Sequence, residues 1–235
     1  MKSLCTVLGI FCFLGVSAQK YELGLTGGVS STSRVKESLY SGDKGKWTYA
    51  AGINFHYNIN PHFQAGLEAG MTRWERTGEW SLNASNNQSL GNKEVTYLFA
   101  ERALSLALRL NYVVPIYRAY DDFIRSSFYG GVTLGGVATG NEGKIEYAKG
   151  NPNTPAEYRY VTKFQYESGY GTLLGLQIGY NYYFSKLLGV NLEFAPKMAW
   201  VKTVDAKYGA ANDTYNILYF PATIGLRFRF GEIRY

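Results

Sequence analysis

Beyond Gln19 the chain has no cysteine, because Cys5 and Cys12 are its only two. The mature segment is therefore expected to carry no disulfide and no thiolate metal site. Histidine is nearly as scarce, with two residues, His56 and His62. No metal site and no cofactor is expected. Charge is thin as well: Asp, Glu, Lys and Arg make up 18% of the chain, where a soluble domain usually has about 25%. The net charge is +6, but no run of Lys or Arg is dense enough to suggest nucleic acid as a partner. After Gln19 no apolar run approaches the roughly 20 residues of a membrane helix. A glycine-rich phosphate loop is also missing. The pairs Gly27-Gly28, Gly130-Gly131 and Gly135-Gly136 lie inside alternating segments, where a phosphate cradle cannot form.

What the chain does have is aromatics, at 16%, and 27 glycines. At the N-terminus Lys2 precedes an apolar run and then Val16-Ser17-Ala18. That order of charge, grease and small residues is expected to be a cleaved signal peptide over residues 1–18. Residues 19–235 then form a single domain.

Residues 101–112 read ERALSLALRLNY. Leu104, Leu106, Leu108, Leu110 and Tyr112 share one parity, and Ser105, Ala107, Arg109 and Asn111 the other. Strict alternation of this kind is the period of a β-strand with one apolar and one polar face. Similar segments recur at 20–31, 46–59, 62–75, 125–139, 166–184, 187–203 and 215–230, giving eight strands with this one, 94–113. Their connections alternate in length. Long stretches at 32–45, 76–93, 140–165 and 205–214 are interleaved with tight turns at Asn60-Pro61 and Ser185-Lys186 and a medium link at 115–124. An up-and-down outer-membrane barrel has this rhythm, with long loops outside and short turns in the periplasm. The expected fold is all-β: an eight-stranded antiparallel up-and-down transmembrane β-barrel. A soluble barrel of lipocalin type would need the Leu faces inside and Arg109, Arg227 and Arg229 outside.

Three features favour the membrane form. Twelve strand glycines share the polar parity and three (Gly27, Gly130, Gly136) the apolar one, as a crowded narrow interior requires. Trp47 and Trp200 fall at the long-loop ends of their strands. Tyr57, Tyr112, Tyr180 and Tyr182 fall at the short-turn ends. These six are expected to be membrane-interface aromatics. Trp74 has inward parity and is expected to cap the lumen. Finally, Glu22, Glu68, Glu101 and Glu193 share the polar face with Arg109, Lys197, Arg227 and Arg229. An enclosed charge needs a partner, so a four-against-four lumen charge network is expected.

The first strand YELGLTGGVS, the segment FQAGLEAGM after a tight turn, the Leu alternation of residues 104–110 and the closing IGLRFRF together resemble the PorT-like small outer-membrane β-barrels of the Bacteroidetes. The resemblance spans the mature chain. It implies eight strands and a place in the bacterial outer membrane, and it permits a role in secretion.

An eight-stranded barrel is just wide enough to be filled by side chains. The first functional expectation is therefore a structural or interaction barrel acting through long loops or periplasmic links. Its partners would be outer-membrane lipid and a protein reached through those loops, with the barrel itself a monomer. A narrow transport or ligand-binding barrel is the second expectation. An outer-membrane lipid-modifying enzyme is the third, and it lacks support: His56 and His62 belong to no His-x-Ser motif. No catalytic residue is assigned, His56 is read as a lumen hydrogen-bonder, and the protein is expected not to be an enzyme.

Overall fold

The structure, a computed structural model, describes residues 19–34, 41–82, 93–116, 123–147, 162–164, 169–203 and 214–231. The expected signal peptide lies outside the described residues. Eleven strands follow in order: β1 (Gln19–Arg34), β2 (Ser41–Gly45), β3 (Thr48–Asn60), β4 (Phe63–Leu82), β5 (Lys93–Ile116), β6 (Ser126–Tyr147), β7 (Thr162–Phe164), β8 (Gly169–Tyr183), β9 (Leu188–Phe194), β10 (Lys197–Thr203) and β11 (Thr214–Gly231).

With β9 and β10 counted as one interrupted stave and the short β2 and β7 set aside, eight staves remain. Each pairs antiparallel with its neighbours in the order β1, β3, β4, β5, β6, β8, β9/β10, β11. β11 then pairs with β1 from Tyr21↔Phe230 to Arg34↔Ile217 and closes the ring. Closure leaves no sheet edge, so every stave backbone can be satisfied without water.

The break in the seventh stave comes from Pro196, which has no N–H for the ladder. The register on either side stays in step: Phe194 faces Ile178 and Ala222, and Lys197 faces Gly175 and Tyr219. The neighbouring groups still bond. Leu176 N donates to the Pro196 carbonyl at 2.9 Å, and Ala195 N donates to the Pro221 carbonyl at 2.9 Å.

The two tight turns share one end of the barrel, and each is held by a side chain that accepts from the backbone. Asn60 Oδ1 accepts from the amides of His62 at 2.8 Å and Phe63 at 2.9 Å. Ser185 Oγ accepts from those of Leu187 at 3.3 Å and Leu188 at 3.0 Å. The opposite end is uneven. β4, β5 and β6 run 20, 24 and 22 residues, about twice what a tilted membrane strand needs. Their ladders continue to Leu82↔Lys93 and Val95↔Tyr147, and β2 and β7 add to the same wall. The sequence pattern placed a loop over 76–93 and a long connection over 140–165 that could extend its adjoining strands into a hairpin above the membrane, as the pairing of β6 with β7 does. β4 instead continues to Leu82, and β6 runs on to Tyr147. Alternation is imposed on a strand only where its two faces meet different surroundings. Past the bilayer both faces can meet water, and the period fades although the ladder persists.

The faces are sorted without ambiguity. Leu106, Leu192 and Ile224 are exposed at 65%, 62% and 64%, while Arg109 and Glu193 are at 1% and 7%. The apolar side of every stave looks outward, and the charged side chains of inward parity are enclosed. This excludes the lipocalin-type arrangement.

The inward glycines are there because the wall approaches lumen side chains closely. A Cβ at Gly179 would lie 2.4 Å from the Tyr129 ring, and one at Gly175 2.7 Å from Lys197 Cγ. At outward Gly27 a Cβ would meet nothing within 4 Å. Gly179→Val is therefore expected to destabilise the barrel by about 1–3 kcal/mol through overpacking. Gly27→Val should change stability by less than about 0.5 kcal/mol. Urea unfolding of both variants in lipid vesicles checks the contrast, and equal midpoints would contradict the packing described.

Candidate functional site

The lumen contains three layers, each set by the inward positions of several staves. At mid-height is an ionic cluster. Arg109, from β5, spreads its guanidinium over two carboxylates. Nη1 donates to Glu68 Oε2 and to Glu193 Oε1, both at 3.2 Å, and Nη2 to Glu193 Oε2 at 2.5 Å. This two-point contact with Glu193 is the stronger form of an Arg–carboxylate pair. Lys197 Nζ donates to the other Glu68 oxygen, Oε1. Tyr129 OH donates to Glu193 Oε2 at 2.5 Å and accepts from Asn191 Nδ2 at 2.8 Å. Two acids and two bases thus neutralise each other across β4, β5, β9 and β10.

Toward the tight-turn end lies a second cluster around Glu22. Its carboxylate accepts from Arg229 Nε at 3.0 Å, Tyr183 OH at 3.0 Å and Asn58 Nδ2 at 3.3 Å. The Arg229 guanidinium also lies 3.2 Å from the Tyr183 ring centroid, a cation–π contact. Arg227 makes no ion pair among the described residues. Its Nη1 donates to Asn54 Oδ1 and to His56 Nδ1, both at 2.8 Å. His56 accepts with Nδ1, so its ring proton sits on Nε2 and the imidazole is neutral. Gly66 makes room for that ring, since a Cβ there would lie 2.5 Å from His56 Cδ2.

A chain of amides runs between these groups. Thr133 Oγ1 donates to Gln177 Oε1. Gln177 Nε2 donates to Asn111 Oδ1 at 2.7 Å, Asn111 Nδ2 to Gln64 Oε1 at 3.4 Å, and Gln64 Nε2 to Asn58 Oδ1 at 2.6 Å. Asn58 then reaches Glu22. The chain crosses from β6 through β8, β5, β4 and β3 to β1, tying six staves together.

The layer toward the long connections is apolar. Trp74, Val137, Leu173, Ala199, Val201, Ile217 and Tyr219 form one buried cluster, with the Trp74 and Tyr219 ring centroids 5.3 Å apart. Trp74 therefore lies inside the lumen and caps it. Glu101 is buried opposite Trp74 in the register, away from the other carboxylates. The ion pairs of the expected four-against-four network thus fall in two clusters, with Arg227 held by neutral groups and Glu101 placed opposite Trp74. Parity says which face a residue takes but not its height along the barrel, and height decides which charges meet.

Sequence reasoning did not assign roles to Tyr129, Tyr183 or the Asn and Gln chain. Their inward parity was the available signal. Only the fold shows that these side chains span the lumen.

Among the described residues a small cavity of about 30 Å³ lies between Thr26, Asn54, Glu68, Thr72, Ser105 and Lys197, room for one or two waters.

Outside, an apolar band encircles the barrel. At the tight-turn end Tyr57 packs on Tyr21 at 5.5 Å, Tyr112 on Phe63 at 5.2 Å and Tyr180 on Phe128 at 4.9 Å, with Tyr182 exposed nearby. At the other end Trp47 and Trp200 are outside and exposed. His62, in the tight turn, stacks on Tyr112 at 5.9 Å. A closed antiparallel wall, greasy outside and ionic within, is compatible only with hydrocarbon around it. The chain is an eight-stranded transmembrane β-barrel of the outer-membrane type.

No protein-family model matches the chain, and no curated protein does. Among solved structures it is similar to OprG, an outer membrane protein of Pseudomonas aeruginosa, with 11% identity over 92% of this chain and 99% of that one and a TM-score of 0.44. It is also similar to Neisserial surface protein A, with 10% identity over 90% and 97% and a TM-score of 0.42. A third is Ail, the attachment invasion locus protein of Yersinia pestis, with 15% identity over 89% and 99% and a TM-score of 0.41.

Three substitutions probe this barrel. Arg109→Leu leaves Glu193 and Glu68 without their shared cation and is expected to cost about 3–5 kcal/mol. Adding Glu193→Leu should recover part of that loss in urea unfolding, and strictly additive losses would contradict the coupling. On the outer wall, Leu106→Arg should cost about 2–4 kcal/mol in the same assay. A neutral result would contradict its place against lipid.

Proposed function

We propose that this barrel is a closed scaffold of the bacterial outer membrane whose work is done by the parts that rise above the bilayer. The observation that carries the proposal is the filled lumen. Two ionic clusters, an amide chain and an apolar layer fill the interior, and the cavity that lies between described residues there is about 30 Å³. Solute flow would have to break those contacts, so the lumen holds the wall in shape and passes nothing.

The wall made by β4, β5 and β6 gives such a scaffold something to present. It continues the barrel sheet well past the membrane, and continuous ladders hold its backbone. A protein partner engaging this end would meet a preformed surface and would not first have to order it, which favours association. The protein acts as a monomer in outer-membrane lipid, with that partner reached through the long connections. The resemblance of its strands to PorT-like barrels supports a partner of the secretion type, by analogy of fold. Chemistry on a substrate is not part of the proposal. His56, the one lumen histidine, already accepts from Arg227, so the nitrogen a general base would use is occupied.

Planar-bilayer recording of the purified, refolded protein tests the proposal. The expected result is the absence of steady conductance steps. A stable conductance would overturn the closed-scaffold function in favour of a narrow transport barrel.

A further inference from the structure

On the lipid-facing side of β4 the outward residues run Phe63, Ala65, Leu67, Ala69, Met71 and then Arg73. On β5 they run Tyr112, Leu110, Leu108, Leu106, Leu104 and then Arg102. Along residues 104–112 the apolar stretch spans about 20 Å of height once strand tilt is allowed for, close to the apolar band of an outer-membrane barrel. Arg73 and Arg102 are therefore the first charged outward positions past the band, on the side of the long connections.

They are also direct register partners. Like charges placed opposite each other across strands repel. The register nevertheless places both arginines side by side at outward positions. Among the described residues Glu75 is the one carboxylate in contact with this patch. It is shared between Arg73 Nε and Lys46 Nζ, both at 3.4 Å. Arg102 is exposed and makes no ion pair among the described residues. Three cations, Lys46, Arg73 and Arg102, thus stand against this one acid among the described residues. Trp47, next to Lys46 in the chain, is exposed at 69%, as an aromatic at headgroup level would be.

We propose that Arg73 and Arg102 form a binding site for the phosphate of a lipid headgroup in the outer leaflet. Two facing guanidinium groups repel until an anion lies between them, and the planar fork of Arg matches phosphate oxygens at two points. The ligand is a lipid because the acyl chains below its headgroup would lie along the Leu and Ala surface that continues directly from the two arginines. The site rests on the membrane placement and not on the closed lumen, so it stands or falls independently of the conductance result.

Native mass spectrometry of the detergent-folded protein with diphosphoryl lipid A reads the retained lipid. The wild type is expected to keep it, and to keep its dephosphorylated form poorly. The double substitution Arg73→Gln and Arg102→Gln should weaken retention about tenfold or more, while Lys20→Gln at the opposite rim should not. Arg73→Lys with Arg102→Lys, which keeps the charge but not the fork, should fall between. Heat-modified gel mobility checks that each variant is folded. Equal retention by wild type and the Gln pair would overturn the site, as would equal loss in Lys20→Gln. Displacement of the lipid by inorganic phosphate alone would overturn the assignment to a lipid headgroup.

Discussion

An ionised side chain can be accommodated in a membrane-spanning wall only if it is turned away from hydrocarbon and given partners. The rest of this structure follows from that constraint. Eight staves close into a ring too narrow to hold a column of water around each charge. The protein itself must then supply the partners. Arg109 is clasped by Glu68 and Glu193, and Arg229 by Glu22 and the Tyr183 ring. Arg227, lacking a carboxylate, is held by Asn54 and a neutral His56. Glycine on the inward parity is the steric counterpart, because side chains of that bulk fit only where the opposing wall has none.

Layering gives the barrel its character. The ionic and amide layers join staves that are far apart in sequence: Arg229 and Glu22 meet across the closing seam, and Gln177 reaches Asn111 across β6. Such bonds hold the ring closed from within. Above them the Trp74 layer buries apolar surface and separates the charges from the long-connection end. The proposed closed lumen rests on this layer, because a water-filled pore would need a continuous polar path.

Much of the fold was legible in the chain. Leu104 to Leu110 alternating with Arg109 and its neighbours marks a two-faced strand, and the glycine parity marks the crowded side. The reading weakened where the environment stopped imposing a pattern. Residues 76–82 continue β4, but past the bilayer no lipid enforces alternation, and the segment looks like a loop. Leu173 shares its inward parity with Gly171, Gly175 and Gln177. It belongs to an apolar layer, because the inside of a small barrel need not be polar throughout.

The sequence by itself determined most of the strands and their two faces, since a period of two is a local property written residue by residue, while the outward exposure of the apolar face settled hydrocarbon as the surrounding medium. Only the tertiary structure decided which charges meet, that the amides form one chain, and that Arg73 faces Arg102 on the outer rim. Those outcomes depend on register and on height around a closed ring, and neither is fixed until the last strand pairs with the first.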